Sequence, residues 1–270
     1  MLIIDVVNRR NAPQLRLVHI ISHDKFEFQR NNPKIRGLSS NPATGELFLA
    51  DAENGIVIVL SALEAEARAV IAYRSKKPDV PTSVCFMRTT QTLLICEYTE
   101  AKSKYEPPAG FSIVALTLTG EKWIEQSRFH LSVAEVCKGR LFHQTLCKLD
   151  DSEFLFGAEG SATLWHMQLD ATHHLHLLDE IVVPDDDSYR EMAAIVSNGR
   201  IQVALTLCSD SLALYLLIGD RLNELSRVPL NDNLSIHVLW MSERLLLAVE
   251  TEYPDASLVW ELDDQLVRRK

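Results

Sequence analysis

The closest gathering of metal-ligating side chains in the sequence is His173-His174-Leu175-His176. On a strand, His174 and His176 project from one face, a spacing that suits two imidazoles on one Zn²⁺. No third ligand stands out, and the plainer expectation is a half-exposed pair on an outer strand. A second set is spread along the chain: Asp51, Glu97, Glu159, Asp210 and Glu250 each follow a short apolar run at the start of a connection. Carboxylates converging on one axis could hold a hard divalent cation. Acids in turns also arise simply from solubility and local hydrogen bonding, so neither a metal nor any other cofactor is expected. Cys85, Cys96, Cys137, Cys147 and Cys208 read as reduced thiols; Cys85/Cys96 and Cys137/Cys147 show no C-x-x-C spacing and are expected to be buried. The sequence has no G-x-S-x-G elbow, no phosphate-binding loop, no G-x-G-x-x-G and no H-E-x-x-H, so no catalytic activity is expected.

The apolar runs are short, rich in Val, Ile, Leu, Phe and Trp, and regularly broken by turn residues. Those are strand signals. Two kinds of hairpin alternate. One recurs at Met1–Ser22, Ile56–Tyr73, Phe111–Leu131, Ala162–Val183, Ser211–Leu230 and Ser257–Arg269. Its second strands start roughly 45–55 residues apart, the period of propeller blades. Between these units lie tighter hairpins, turning at Ala43-Thr44-Gly45, after Met87, at Asp150-Asp151-Ser152, at Ser197-Asn198-Gly199 and at Ser242-Glu243. Asn198-Gly199 is the strongest turn signal, because both residues tolerate φ > 0.

One inner plus one outer hairpin makes a four-stranded blade. The expected fold is therefore all-β, a single β-propeller of about five four-stranded blades plus an N-terminal half-blade. The half-blade covers 1–33 and the blades 34–74, 80–131, 141–183, 189–230 and 234–270. The extra half-blade has three readings. It closes the ring with the last blade and displaces the weak strand Gln265–Lys270; the chain is a piece of a longer propeller; or the ring is open and a partner supplies strands at a blade edge. A helix is the rival for Leu60–Val70, where Leu60, Leu63, Ala67 and Val70 have helical spacing, and for Leu214–Leu225. The repeat demands strands at both places.

The segment Gly37-Leu38-Ser39-Ser40-Asn41-Pro42-Ala43-Thr44-Gly45-Glu46-Leu47-Phe48-Leu49-Ala50-Asp51, followed by Asn54-Gly55-Ile56-Val57, resembles one blade of an NHL or gluconolactonase-type propeller. The chain as a whole resembles a divergent WD40-like propeller, although it has no Trp-Asp, no Gly-His and no Tyr-Trp-Thr-Asp. The WD40 resemblance implies a rigid platform for protein partners. The lactonase resemblance implies a central divalent metal and a hydrolase, which is the alternative function.

The loops favour the platform. Glu97–Gly110 (EYTEAKSKYEPPAG) is long for a propeller connection and carries Tyr98, Glu100, Tyr105 and Glu106. Its counterpart Glu250–Asp255 carries Glu252 and Tyr253, and Asp51, Glu53, Glu159 and Asp210 sit on equivalent connections. Asp185-Asp186-Asp187 adds to the same side. One acidic face with embedded tyrosines is the expected partner site, suited to a protein with a basic surface. Charge reversal at Glu97, Glu100 and Glu106 is then expected to weaken capture without lowering the melting temperature. The chain is read as a non-catalytic subunit of a larger intracellular complex, cytoplasmic or nuclear. Neither a membrane nor direct nucleic-acid contact is expected. The formal charge of −10 argues against a nucleic-acid binder, as do basic residues that are dispersed apart from Arg268-Arg269-Lys270 at the end and Arg74, Lys76 and Lys77 in one loop, and no apolar run approaches ~18 residues.

Overall fold

A computed structural model describes residues 2–9, 12–20, 34–61, 68–99, 110–132, 144–184, 187–229, 236–242, 245–250, 257–263 and 266–269, with backbone alone for 2–20 and 236–269. A leading hairpin, β1 (Leu2–Arg9) and β2 (Ala12–Ile20), forms its own two-stranded sheet. Five four-stranded antiparallel sheets follow in chain order. The first holds β3 (Ile35–Asn41), β4 (Glu46–Asp51), β5 (Ile56–Ser61) and β6 (Arg68–Arg74). The second holds β7 (Asp79–Met87), β8 (Thr92–Thr99), β9 (Gly110–Thr119) and β10 (Lys122–Ser132). The third is β11 (Gln144–Lys148), β12 (Glu153–Ala158), β13 (Thr163–Leu169) and β14 (Leu175–Val182). The fourth is β15 (Tyr189–Ser197), β16 (Arg200–Leu207), β17 (Ser211–Ile218) and β18 (Arg221–Pro229). The fifth is β19 (Ile236–Ser242), β20 (Leu245–Glu250), β21 (Ser257–Asp263) and β22 (Leu266–Arg269).

The first strands of successive sheets are neighbours, β3 beside β7, β7 beside β11, β11 beside β15 and β15 beside β19. Such a row of inner strands, with the sheets fanning outward, is propeller geometry. Among the described residues β19 does not come back to β3, and the ring is not closed. The leading hairpin also does not displace the last strand. β22 pairs with β21 over Leu266–Asp263 to Arg269–Trp260, while β1 and β2 pair only with each other. That version of ring closure is corrected. The helical rival fails where it can be seen: Leu60 lies in β5, Val70 in β6, and Leu214–Leu225 spans the β17–β18 hairpin.

Sheets packed on both sides need strands apolar on both faces, so second strands read as continuous runs. In β8, Leu93 and Ile95 face the first sheet, packing with Phe48, Ala50, Val57 and Val59. Leu94 and Cys96 face the third, packing with Phe154, Phe156, Trp165 and Met167. Phe48 stacks on Phe86 at 5.0 Å and meets Trp123 edge-on at 5.8 Å, which ties the first sheet to the second. The outer strand β14 has lost this demand and exposes most of its residues.

A β-bulge recurs between the third and outer strands of the first four sheets, at Val57/Ile58, Glu125/Ser127, His166/Met167 and Leu214/Tyr215. Its consequence is readable in side chains. Residues three apart normally point to opposite faces of a strand, and one extra residue restores them to the same face. Glu125-Gln126-Ser127-Arg128 and Glu224-Leu225-Ser226-Arg227 both exploit this. Arg128 Nε donates to Glu125 at 3.0 Å, and Arg227 Nε to Glu224 at 3.0 Å.

Candidate functional site

In each four-stranded sheet the connection from second to third strand opens on the same side as the connection to the next sheet. On that loop face stand the acids expected from sequence, and they divide by burial. Asp51 ends β4 with 0 % exposure. Its Oδ1 accepts from the Lys34 N–H at 3.0 Å and the Asn54 N–H at 3.3 Å, and its Oδ2 from Asn54 Nδ2 at 2.7 Å. The carboxylate holds its own turn and the entry to β3, an ordinary use of Asp at a turn. Glu53 is exposed in the same turn.

Glu97 lies inside β8 with 1 % exposure, facing the first sheet. Its Oε2 accepts from Arg128 Nη1 at 2.8 Å and from the Tyr73 hydroxyl at 3.3 Å, while Oε1 has no partner among the described residues. Arg128 Nη2 also donates to the Tyr73 oxygen at 2.9 Å. This is a bridge between the first and second sheets. Burial, followed by the charge of Glu97, pushes the Tyr73 phenol well above its usual range. The hydrogen bond from Arg128 holds the Glu125 carboxyl below its ordinary range. The expectation that Glu97 belongs to an exposed acidic loop is therefore corrected: it is a buried ion-pair partner, and reversing its charge is not a neutral surface change.

Tyr98, on the other face of β8, is half-buried against the cluster shared by the second and third sheets. Glu159 is half-buried just beyond β12. Asp210 sits before β17 at φ 55° and accepts from Arg190 Nη2 at 3.0 Å. Asp187 accepts from the Ser209 hydroxyl at 2.5 Å, which brings the 183–190 connection beside the β16–β17 turn. Glu250 closes β20 in the equivalent place, described by its backbone. Glu100, Tyr105, Glu106, Glu252, Tyr253, Asp185 and Asp186 lie outside the described residues.

The histidines stand on the opposite face, in the β13–β14 hairpin, and are used locally. His173 and His174 precede the strand rather than lying on it, and only His176 belongs to β14. His173 takes φ 64°, and its Nδ1 is 2.9 Å from Thr92 Oγ1 in the second sheet. His174 Nδ1 lies 3.0 Å from Thr172 Oγ1, and His176 Nε2 is 2.8 Å from Asp170 Oδ2. The hydrogen bond with His176, then those from Thr172 and the His174 N–H, hold the Asp170 carboxyl well below the usual range. Among the described residues no three His, Cys, Asp or Glu side chains are placed to hold a metal ion. Cys85 and Cys96 are buried, Cys147 is half-buried and Cys208 exposed. Burial pushes the thiols of Cys85 and Cys147 up to about 12 and that of Cys96 higher still, so all three stay protonated at neutral pH.

One residue on this face gave no sign in the sequence. Tyr189, at the head of β15, is 1 % exposed and reaches back into the third sheet. Its hydroxyl accepts from the Ala158 N–H at 2.9 Å and donates to the Thr163 carbonyl at 3.0 Å. It thereby satisfies both sides of the β12–β13 turn. A Cβ at Gly157 would lie 3.0 Å from that oxygen. Tyr189→Phe is expected to cost about 1–2 kcal/mol, because the Ala158 N–H loses its acceptor in a buried site while the Thr163 carbonyl keeps the Ser161 hydroxyl at 3.1 Å; a chemical-denaturation midpoint measures it.

No family model matches the chain, and no curated protein resembles it in sequence. Solved structures match it in fold. The Dos1 propeller superposes with TM-score 0.56 at 12 % identity, covering 90 % of this chain and 61 % of its own, so this chain spans less than two thirds of that protein's length. KlAtg21, determined in complex with the coiled coil of AgAtg16, gives 0.56 at 12 % identity over 100 % of this chain and 80 % of its own. A provisional 6-phosphogluconolactonase from Bacteroides fragilis gives 0.60 at 11 % identity over 87 % and 69 %. Identities this low carry the fold and nothing of the activity. With the sheet order and the row of inner strands, they make this chain a divergent β-propeller.

Proposed function

We propose that this propeller is a non-catalytic platform for protein partners, one subunit of a larger assembly in the cytoplasm or nucleus. The observation that carries the reading is the fate of two carboxylates at the ends of second strands. Asp51 and Glu97, the acids a lactone hydrolase would aim at a metal, are buried and spent on a turn and an inter-sheet bridge. KlAtg21, a structure of similar fold, engages a coiled coil, which supports protein binding by such a scaffold. The partner site is the acidic arc of the loop face: Glu159, Asp187 and Asp210 on the third and fourth sheets, with Glu250 on the fifth. Glu100, Tyr105, Glu106, Glu252 and Tyr253 extend it on the two tyrosine-bearing connections. A partner with a basic surface suits this arc, and one that adds a strand to an unpaired blade edge suits the open ring.

Affinity purification of the tagged chain from its native cells, with mass spectrometry of bound proteins and metals, tests the reading. A near-stoichiometric protein partner without metal is the expected outcome. A partner-free monomer carrying stoichiometric Ca²⁺ or Zn²⁺ and hydrolysing a lactone would overturn it.

A further inference from the structure

The exposed charge of the loop face is not all of one sign. The Ala52 N–H donates to the Lys34 carbonyl at 3.0 Å and the Ser75 N–H to the Gly55 carbonyl at 3.0 Å. The β4–β5 turn is thus flanked by Lys34 on its inner side and by the stretch Arg74–Lys77 on its outer side. Lys34, Arg74, Lys76 and Lys77 are all exposed, in a chain whose formal charge is −10. None of the four takes part in an ion pair among the described residues. The acids nearby are largely committed. Asp51 is buried in its turn, Asp79 accepts from the Thr99 hydroxyl at 2.7 Å, and Glu125 is held by Arg128 with Lys76 close enough to contribute. Ile35, next to Lys34, is 39 % exposed at the head of β3.

We propose that Lys34, Arg74, Lys76 and Lys77 form a docking surface for a short acidic segment of a partner protein, with an apolar residue of that segment against Ile35 at its inner edge. This surface is separate from the acidic arc and goes beyond the partner site proposed there. A peptide suits it better than a polyanion. The patch is only as wide as one blade, Glu53 and Glu125 are interspersed, and the surrounding protein is strongly negative. A nucleic acid needs a longer positive track to release enough counterions, and an anionic membrane would meet the repulsion of the whole face. A few carboxylates on a short segment reach the four cations and avoid the rest.

The test is fluorescence anisotropy of the full chain with a fluorescein-labelled 12-residue peptide of alternating Glu and Ser around one central Leu. The comparison variants are Lys34→Glu/Lys76→Glu/Lys77→Glu and a control, Arg200→Glu/Arg221→Glu, on hairpins at the opposite end of the fourth sheet. We expect at least about tenfold weaker binding for the triple variant, the control within about twofold of wild type, and steep weakening with salt. Thermal melting checks that each variant folds. If the triple variant does not, Lys76→Ala/Lys77→Ala serves, with about threefold weakening expected. Equal losses in patch and control variants, no effect of patch substitutions, or no peptide binding to wild type would each overturn the proposal. Tighter binding of a 20-nucleotide single-stranded RNA or of phosphatidylserine vesicles than of the peptide would overturn it in favour of that partner. Capture of a basic partner by the acidic arc is read separately in the purification experiment, so either reading can fail alone.

Discussion

Gly37→Ala is expected to destabilise the protein by about 3 kcal/mol, the upper end for overpacking a close contact. For a chain of this size that lowers the melting temperature by roughly 6–12 °C. The reason lies in the approach of two inner strands. A Cβ on Gly37 of β3 would stand 2.7 Å from Ser83 Cα, 2.9 Å from Val84 N and 3.0 Å from the Thr82 carbonyl oxygen. All three are backbone atoms of β7, held in their own ladder with β8, so no rotamer change relieves the clash. Only a shift of one whole sheet against the next would, and the stack of Phe48 on Phe86 opposes that shift. Gly55→Ala is the matched control. It has φ 63° and nothing within 4 Å of the added carbon, so its cost is the left-handed backbone alone, about 1 kcal/mol. Differential scanning calorimetry of both variants measures the contrast. Equal melting points for Gly37→Ala and wild type would mean that β3 and β7 are not in this contact.

The second large effect is at Glu97. Glu97→Lys places a cation beside Arg128 in a site that is 1 % exposed and removes the acceptor of both Arg128 and Tyr73. Breaking a buried pair from one side costs about 3–5 kcal/mol, since the remaining charge keeps its desolvation without its partner. Here Arg128 retains Glu125 and a partly exposed side chain, which puts the expected loss near the lower bound, about 3 kcal/mol. The swap Glu97→Lys/Arg128→Glu should restore more than half of it, because the pair reforms between β8 and β10 of the second sheet. Thermal unfolding of the three proteins checks this. A Glu97→Lys protein that melts with wild type would restore the exposed-loop expectation and remove the bridge from the account. Partner capture by this variant is therefore read only together with its loss of stability.

The contrast between these residues shows how far the sequence could be read. The hairpins were legible because their signals are local. Glu46–Asp51 opens after Thr44-Gly45, and Gly45 takes φ 70°. Ser197-Asn198-Gly199-Arg200 turns with Asn198 at φ 51° and Gly199 at φ 71°, as the pair of residues demanded. Runs such as Leu93–Cys96 announce strands packed on both faces, and repetition of that pattern announces blades. The recurring acid after each second strand was legible too. What could not be read was whether such an acid faces water. Asp51 and Glu53 stand two residues apart with the same chemistry, yet one is enclosed and the other exposed.

The bulges explain further misses. Glu125 and Arg128, or Glu224 and Arg227, count as opposite-facing residues until one extra residue is inserted between them. Their shared Glu-x-Ser-Arg spelling was a signal available in the sequence, and its meaning depended on a register shift that hydrophobic alternation does not encode. Tyr73, Tyr189 and Gly37 act across sheet boundaries, on partners at least 24, 26 and 45 residues away.

By itself, then, the sequence determined the all-β class, the two kinds of hairpin, the sheet count and the side on which the loops gather. Each follows from turn chemistry and side-chain period within a few residues. The tertiary structure alone decided which carboxylates are surface and which are bridges, and that Lys34 joins the basic run Arg74–Lys77 about one turn. It also decided that β19 does not return to β3 among the described residues. Those outcomes depend on which sheet lies against which. Contacts between sheets are made by residues dozens of positions apart, and the local signals that specify a strand carry no record of its neighbour.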